Sequence, residues 1–358
     1  MIELLVVVAI ATILLLIAVP AFKSLTYSTR RASAENALKG GLRTARMVAI
    51  EAGEGRDVAA VFTHEPGGRI TIVPAVFVGE FLETRLGRRV EVFAPVSGVD
   101  AVQLPPGWSV RAYAPPNSIA GTNESAGWYS SGNYPAAQGN WVFPEAGFFD
   151  ITRADDGDNR QTFMVRFRGG SGELDLSHQE PVLVLDVAPT ISFRSQPPWS
   201  DHRADIAIDS VRFVRRVLEA DFPTSNGGTS LRDRRKLLGN ESTDTVLARA
   251  VGQLAVYNER RLAAGVGARR LNRDTGTLYM GLGDPNNPNR EPRLDLSLFP
   301  AGATPRSVSE AVSEWLESRP VSSNAMVFSS DAMVFTIQRY SGRAQEMVPL
   351  DPNRGGTP

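Results

Sequence analysis

The side chains with reactive chemistry are few and dispersed along the 358 residues. The three histidines, His64, His178 and His202, have no second His or Cys at metal-ligand spacing. They read as surface or turn histidines. Asp155-Asp156-Gly157-Asp158-Asn159 supplies oxygen atoms that can gather around Ca²⁺. It lacks regular loop spacing and a closing bidentate Glu, so it reads as a solvated acidic turn. Gly169-Gly170-Ser171-Gly172 does not fit the G-x-S-x-G nucleophile elbow and belongs in a hairpin turn. No phosphate-cradling glycine loop is present. Asn123-Glu124-Ser125 and Asn240-Glu241-Ser242 are N-x-S sequons, which matter only where surface proteins are glycosylated. These residues point to no catalytic group, cofactor or metal. One ionisable group does stand in unusual company, and that is Glu3.

Glu3 opens the stretch Ile2-Glu3-Leu4-Leu5-Val6-Val7, and Leu4 to Phe22 then carries no charge and one polar side chain, Thr12. As a helix, that stretch is about 28 Å long, close to the thickness of a bilayer's hydrocarbon core. A carboxylate in apolar surroundings must be protonated, reach the interface or find a cation. Pro20 lacks an amide hydrogen and so frees the carbonyl of Leu16 near the far end. A signal peptide has a basic start, a shorter apolar core and a small-residue cleavage site, and none of these is visible.

An acid at the head, a Leu, Ile and Val run, and then Pro20-Ala21-Phe22 closely resemble the N-terminal segment shared by type IV pilins and type II secretion pseudopilins. The resemblance implies that Glu3 pairs with the N-terminal amine of a neighbouring subunit. It also implies that Ile2, Glu3, Leu4, Leu5, Pro20 and Phe22 serve assembly, the helix being first a membrane anchor and then the packed core of a filament. The implied partners are other pilin or pseudopilin subunits and the inner membrane before assembly. Prepilin peptidase joins them where a leader lies upstream, because the family motif has a short basic leader ending in Gly ahead of the positions matched by Met1-Ile2-Glu3. The implied location is the cytoplasmic membrane in a single pass, with a periplasmic or extracellular body. Lys23, Arg30 and Arg31 argue the other way, since the positive-inside rule applied to them alone places the body in the cytoplasm. A membrane-tethered binding or hydrolytic domain using the same anchor is the alternative.

The composition agrees with an exported, loop-rich β body. Net charge is −1, from 38 Lys and Arg against 39 Asp and Glu, so no concentrated basic face for nucleic acid is expected. Cysteine is absent, which removes disulfides and thiolate chemistry and leaves packing to stabilise the body. The 32 glycines and 24 prolines favour turns.

Five segments are expected: residues 1–25, a hydrophobic membrane or filament helix; 26–52, an amphipathic stem; 53–200, a β-rich body; 201–320, a helical insertion or subdomain; and 321–358, strands and a tail. In the stem, Leu38, Leu42, Ala45 and Ala49 form one apolar stripe, interrupted by Gly40-Gly41. Asp57–Thr63 and Arg69–Val78 read as a hairpin laid on that stem. Stem and hairpin together resemble, more weakly, the H-type minor pseudopilins. Strands are expected at 108–112, 141–143, 148–151, 162–168 and 181–187. The insertion is inferred from apolar faces at Val211, Val214 and Leu218 and at Leu247, Val251 and Leu254. A further helix begins at Thr304-Pro305 with Ser307 and Glu310 as an alternative cap, and strands follow at 325–328 and 332–340. The fold class expected from the resemblance is α+β and pilin-like: a long N-terminal helix on an antiparallel sheet, with a large helical insertion in the C-terminal half.

Overall fold

The computed structural model describes residues 2–65, 69–83, 88–96, 98–114, 140–143, 161–177, 180–185, 245–279, 294–317 and 332–347. Helix α1 (Ile2–Ala52) is followed by strands β1 (Val58–Glu65), β2 (Arg69–Glu83), β3 (Arg88–Pro95), β4 (Val102–Gln103), β5 (Trp108–Ala114), β6 (Asn140–Val142), β7 (Gln161–Phe167), β8 (Val182–Leu185), β9 (Thr245–Ala250) and β10 (Gln253–Asn258). Helices α2 (Glu259–Gly265) and α3 (Pro305–Glu317) come next, then β11 (Met333–Ile337) and β12 (Ala344–Glu346).

The strands divide into two sheets. In the first, the order β1-β7-β9-β8-β3-β2 returns to β1, so six strands close into a barrel and β4 is appended to β2. Closure depends on β2, a 15-residue strand. Its first half pairs antiparallel with β1, from Arg69↔Glu65 to Val76↔Val58, and its second half pairs with β3. The register shifts between Phe77 and Gly79, a bulge that bends the strand and lets one ribbon serve two directions. Two pairings are parallel, β3 with β8 and β7 with β9. The second sheet, in the order β12-β11-β10-β5-β6, is antiparallel throughout.

Side-chain alternation divides the barrel's two faces. Ala59, Val61, Ala75, Phe93, Met164, Val182, Val184, Ala248 and Ala250 pack together inside. Small alanines make room for Phe93 and Met164, because a barrel of six strands has a narrow interior. The alternate positions, Val58, Ala60 and Phe62 on β1 and Phe163, Val165 and Phe167 on β7, face outward into the larger core. That core includes Ala34, Leu38, Leu42, Ala45 and Ala49, all buried. The α1 stripe thus lies on the outside of the barrel, and α1 ends at Ala52 before Gly53, whose φ of 81° suits glycine.

The expected α+β, pilin-like fold class is overturned. The body is mostly β, built as a closed barrel plus a second sheet rather than one antiparallel sheet. The large helical insertion is also corrected. The segment carrying Leu247, Val251 and Leu254 is the strand pair β9 and β10, whose residues alternate between faces instead of repeating every 3.6 positions. β9 supplies the pairing that joins β8 to β7 and completes the barrel, so barrel closure outweighs the local helical spacing. The segment with Val211, Val214 and Leu218, and the strands expected at 148–151 and 325–328, lie outside the described residues. Helix α3 starts where Thr304-Pro305 indicates. The Thr304 hydroxyl accepts from the Ser307 amide at 3.1 Å, and the Ser307 hydroxyl accepts from the Thr304 amide at 3.0 Å. Glu310 pairs with Arg306 instead of capping.

The two stem glycines differ. A Cβ on Gly41 would come within 3.0 Å of the Ile72 side chain, whereas one on Gly40 meets nothing within 4 Å. Gly41 therefore sets how closely α1 approaches β2. Gly40→Ala is expected to stabilise the protein by about 1 kcal/mol through helix propensity, while Gly41→Ala gains less or loses stability. Thermal unfolding of the two variants checks this, and equal gains refute the close-contact role of Gly41.

Candidate functional site

Among the described residues, the most unusual surface is on the N-terminal half of α1. The helix is 51 residues long, yet its first buried residue among those described is Ala34. Tyr27 marks where it meets the body. The Tyr27 ring lies 5.7 Å from that of Trp108, and the Arg261 guanidinium sits 3.9 Å from the Tyr27 centroid. The helix extends about 37 Å on the N-terminal side of Tyr27, as an arm. Ile13, Leu14, Leu16, Val19, Phe22 and Leu25 on this arm are 46–71% exposed. Thr26 and Thr29 donate their hydroxyls to the carbonyls four residues earlier, so the polar end of the arm satisfies itself within the helix.

All six residues expected to serve assembly lie on this arm. Phe22 is 71% exposed. Ile2, Glu3, Leu4, Leu5 and Pro20 are in the helical backbone, and their side chains lie outside the described residues. Among the described residues, no helix is long and apolar enough to cross a membrane.

A second set of polar groups, not anticipated from sequence, is buried under the five-stranded sheet. Arg111 on β5 donates from Nε to the Tyr257 hydroxyl at 2.8 Å and from Nη1 to the Tyr279 hydroxyl at 3.0 Å. Its guanidinium carbon lies 5.3–5.7 Å from the ring centroids of Phe143, Tyr257 and Tyr279. Tyr257 in turn donates to Glu259 Oε1 at 3.2 Å. Burial pushes the Glu259 carboxyl up, against the pull of Arg111 and of the Ser109 and Tyr257 hydroxyls. Burial also pulls the Arg111 pKa down, but Tyr257, Tyr279 and Glu259 outweigh it and keep the guanidinium charged. Because these groups are shut off from solvent, the network joins β5, β10 and the segment around Tyr279 rather than presenting a reactive atom. An arginine inside the mostly apolar strand WSVRAYA was the available signal for it.

A third cluster sits at the barrel. Arg166 on β7 donates from Nε and Nη2 to Asp57 Oδ2, at 2.9 and 2.6 Å, and from Nη2 to Glu91 Oε1 at 3.0 Å. Asp175 lies 3.5 Å from its Nε, and its guanidinium stacks over Phe93 at 5.4 Å. Asp57 Oδ1 accepts from the Gly169 amide at 2.9 Å. This ties the 169–172 turn, where the Gly-rich segment was expected to turn, to the strand ends. Among the described residues, no three His, Cys, Asp or Glu side chains are grouped to hold a metal ion. His178, His202 and the Asp155–Asp158 run lie outside the described residues.

His64 corrects an expectation. It is 3% exposed on β1, with its ring 4.9 Å from that of Phe143, and is no surface or turn histidine. The strand's alternation, not its turn, sets this position, facing the residue under the second sheet.

Compared with known protein families, with characterised proteins and with solved structures, the chain has no match.

Burial lowers the His64 pKa from 6.5 to about 3, so the fold holds the ring neutral. Below pH 6.5 the unfolded chain takes up a proton that the fold refuses, and stability falls as pH drops toward 3, by up to about 1.4 kcal/mol per pH unit. His64→Gln is expected to flatten this part of the stability–pH profile, as measured by denaturant unfolding from pH 7 to 4. Parallel profiles for variant and parent would remove His64 as the cause.

Proposed function

We propose that the chain is a structural subunit of a type IV pilus or type II secretion pseudopilus, joined to its neighbours through the N-terminal helix. The observation that carries this reading is the N-terminal arm of α1, whose sequence bears the Glu3, Pro20 and Phe22 pattern, whose described large apolar side chains are exposed, and which runs on into a packed body. The exposed large apolar side chains from Ile13 to Leu25 are costly in water and must be covered by lipid or by protein. In this reading the inner membrane covers it before assembly, and the helices of other pilin or pseudopilin subunits cover it afterwards. Glu3 then neutralises a neighbour's N-terminal amine inside an apolar bundle, which sets the stagger between subunits. The body stands on the periplasmic or extracellular side, and prepilin peptidase acts on any leader upstream. No catalytic step is required.

The size of the two-sheet body favours a second reading, a membrane-tethered binding or hydrolytic domain with the same anchor. Self-association separates the two. Glu3→Val is expected to leave membrane insertion unchanged and to abolish incorporation into filaments, as followed by membrane fractionation and by shearing surface or periplasmic fibres from cells. Assembly of Glu3→Val at the parental level would defeat the filament reading.

A further inference from the structure

Three segments of the body converge on one groove of about 600 Å³, lined on one side by Lys39, Arg43, Arg46 and Met47 of α1 and on the other by the β11–β12 turn. Arg46 Nε donates to the Gly172 carbonyl at 3.0 Å, which brings in the 169–176 segment. The Leu174 amide donates to the Arg339 carbonyl at 2.8 Å, joining that segment to the hairpin. Gly342, at a φ of 59°, closes the contact, since a Cβ there would lie 2.6 Å from Arg46 Cδ.

The chemistry of this face is uneven. Lys39 is paired with Glu35 at 2.6 Å, but among the described residues neither Arg43 nor Arg343 makes an ion pair. Leu42 and Met47 add apolar surface to its lining. Outside the arm, the exposed large apolar residues among those described are Met47, Ile50, Leu176, Tyr340 and Met347. All five lie on the three converging segments, and Met47 lines the groove itself. Exposed apolar groups rimmed by unpaired cations are the signature of a protein docking surface rather than of ordinary solvated surface. The groove also runs to Ala344 in β12, which ends the second sheet among the described strands, and a sheet edge is where an extended chain can add.

We propose that this groove binds an extended acidic segment of a partner protein, with carboxylates on Arg43 and Arg343 and apolar side chains against Met47. Guanidinium groups pair with carboxylates in two-point geometry, and the apolar floor distinguishes a peptide from a bare anion. A lipid headgroup is a poor fit, because Arg43 stands about 27 Å along the helix from Leu25, the last exposed apolar residue of the arm. The surface belongs to the body and does not depend on what the arm does.

The test uses the full chain in neutral detergent and fluorescence anisotropy. Its probes are a short labelled peptide alternating Asp and Leu, and a matched peptide alternating Lys and Leu. The acidic peptide is expected to bind, more weakly as salt rises, and the Lys peptide is not. Arg43→Ala with Arg343→Ala, and separately Met47→Asp, should each weaken binding about tenfold or more, with unchanged circular dichroism. Equal binding of the two peptides, or acidic binding unaffected by these variants, overturns the proposal. Competition by inorganic polyphosphate or anionic vesicles combined with indifference to Met47→Asp overturns it as well, in favour of a general anion site.

Discussion

The structure depends on burial of one stripe of α1 against the outer face of the barrel. Leu38, Leu42, Ala45 and Ala49 lie over the outward side chains of β1, β2 and β7, and the same continuous core runs on into the second sheet. Small residues on the stripe and Gly41 against Ile72 bring the helix axis close to the strands. This contact holds together what lies beneath it. The outward faces of β1 and β7 are too apolar to remain in water, and the helix is what covers them. The polar face of the stem, with Arg43 and Arg46, is left to form the groove wall.

Two buried arginines pin the β layers around that core in different ways. Arg166 gathers Asp57, Glu91 and Asp175 from separate segments, so one guanidinium joins strand ends that are distant in sequence. Arg111 has aromatic hydroxyls and ring faces as its main partners, with Glu259 reached through Tyr257. Neither cluster is a net source of large stability, because each carries the cost of desolvating charge. Each does penalise misregistered pairing, since a slip by one residue would turn Arg111 or Arg166 to the opposite face and strand its partners. In a body without disulfides, such polar contacts help to select one arrangement of two sheets.

The helix therefore has two halves with opposite solvation. The described large apolar side chains before Tyr27 are exposed, whereas beyond it Ala34, Leu38, Leu42, Ala45 and Ala49 are buried and Met47 and Ile50 remain exposed. One continuous helix joins the arm to the packed body. The proposed filament role uses this continuity, since the arm and the packed stem belong to the same helix.

Sequence alone determined the local features. The stem stripe, the end of α1 near Ala52, the β1–β2 hairpin, the α3 cap at Thr304 and the glycine turn at 169–172 were all legible, because each depends on periodicity, capping or turn chemistry within a few residues. The apolar arm with Glu3, Pro20 and Phe22 was legible for the same reason. Tertiary structure alone decided the architecture. Barrel closure needs parallel pairings of β3 with β8 and of β7 with β9, whose paired residues lie 91 and 86 positions apart, and no local pattern encodes such partners. The spacing of Leu247, Val251 and Leu254 fits a helix as well as two strands, and pairing of β9 with β8 and β7 resolved it as strands. The buried setting of His64, the Arg111 and Arg166 clusters and the basic groove were likewise invisible in one dimension. Their partners lie on separate elements, and only burial in the folded chain brings those charges and rings into contact.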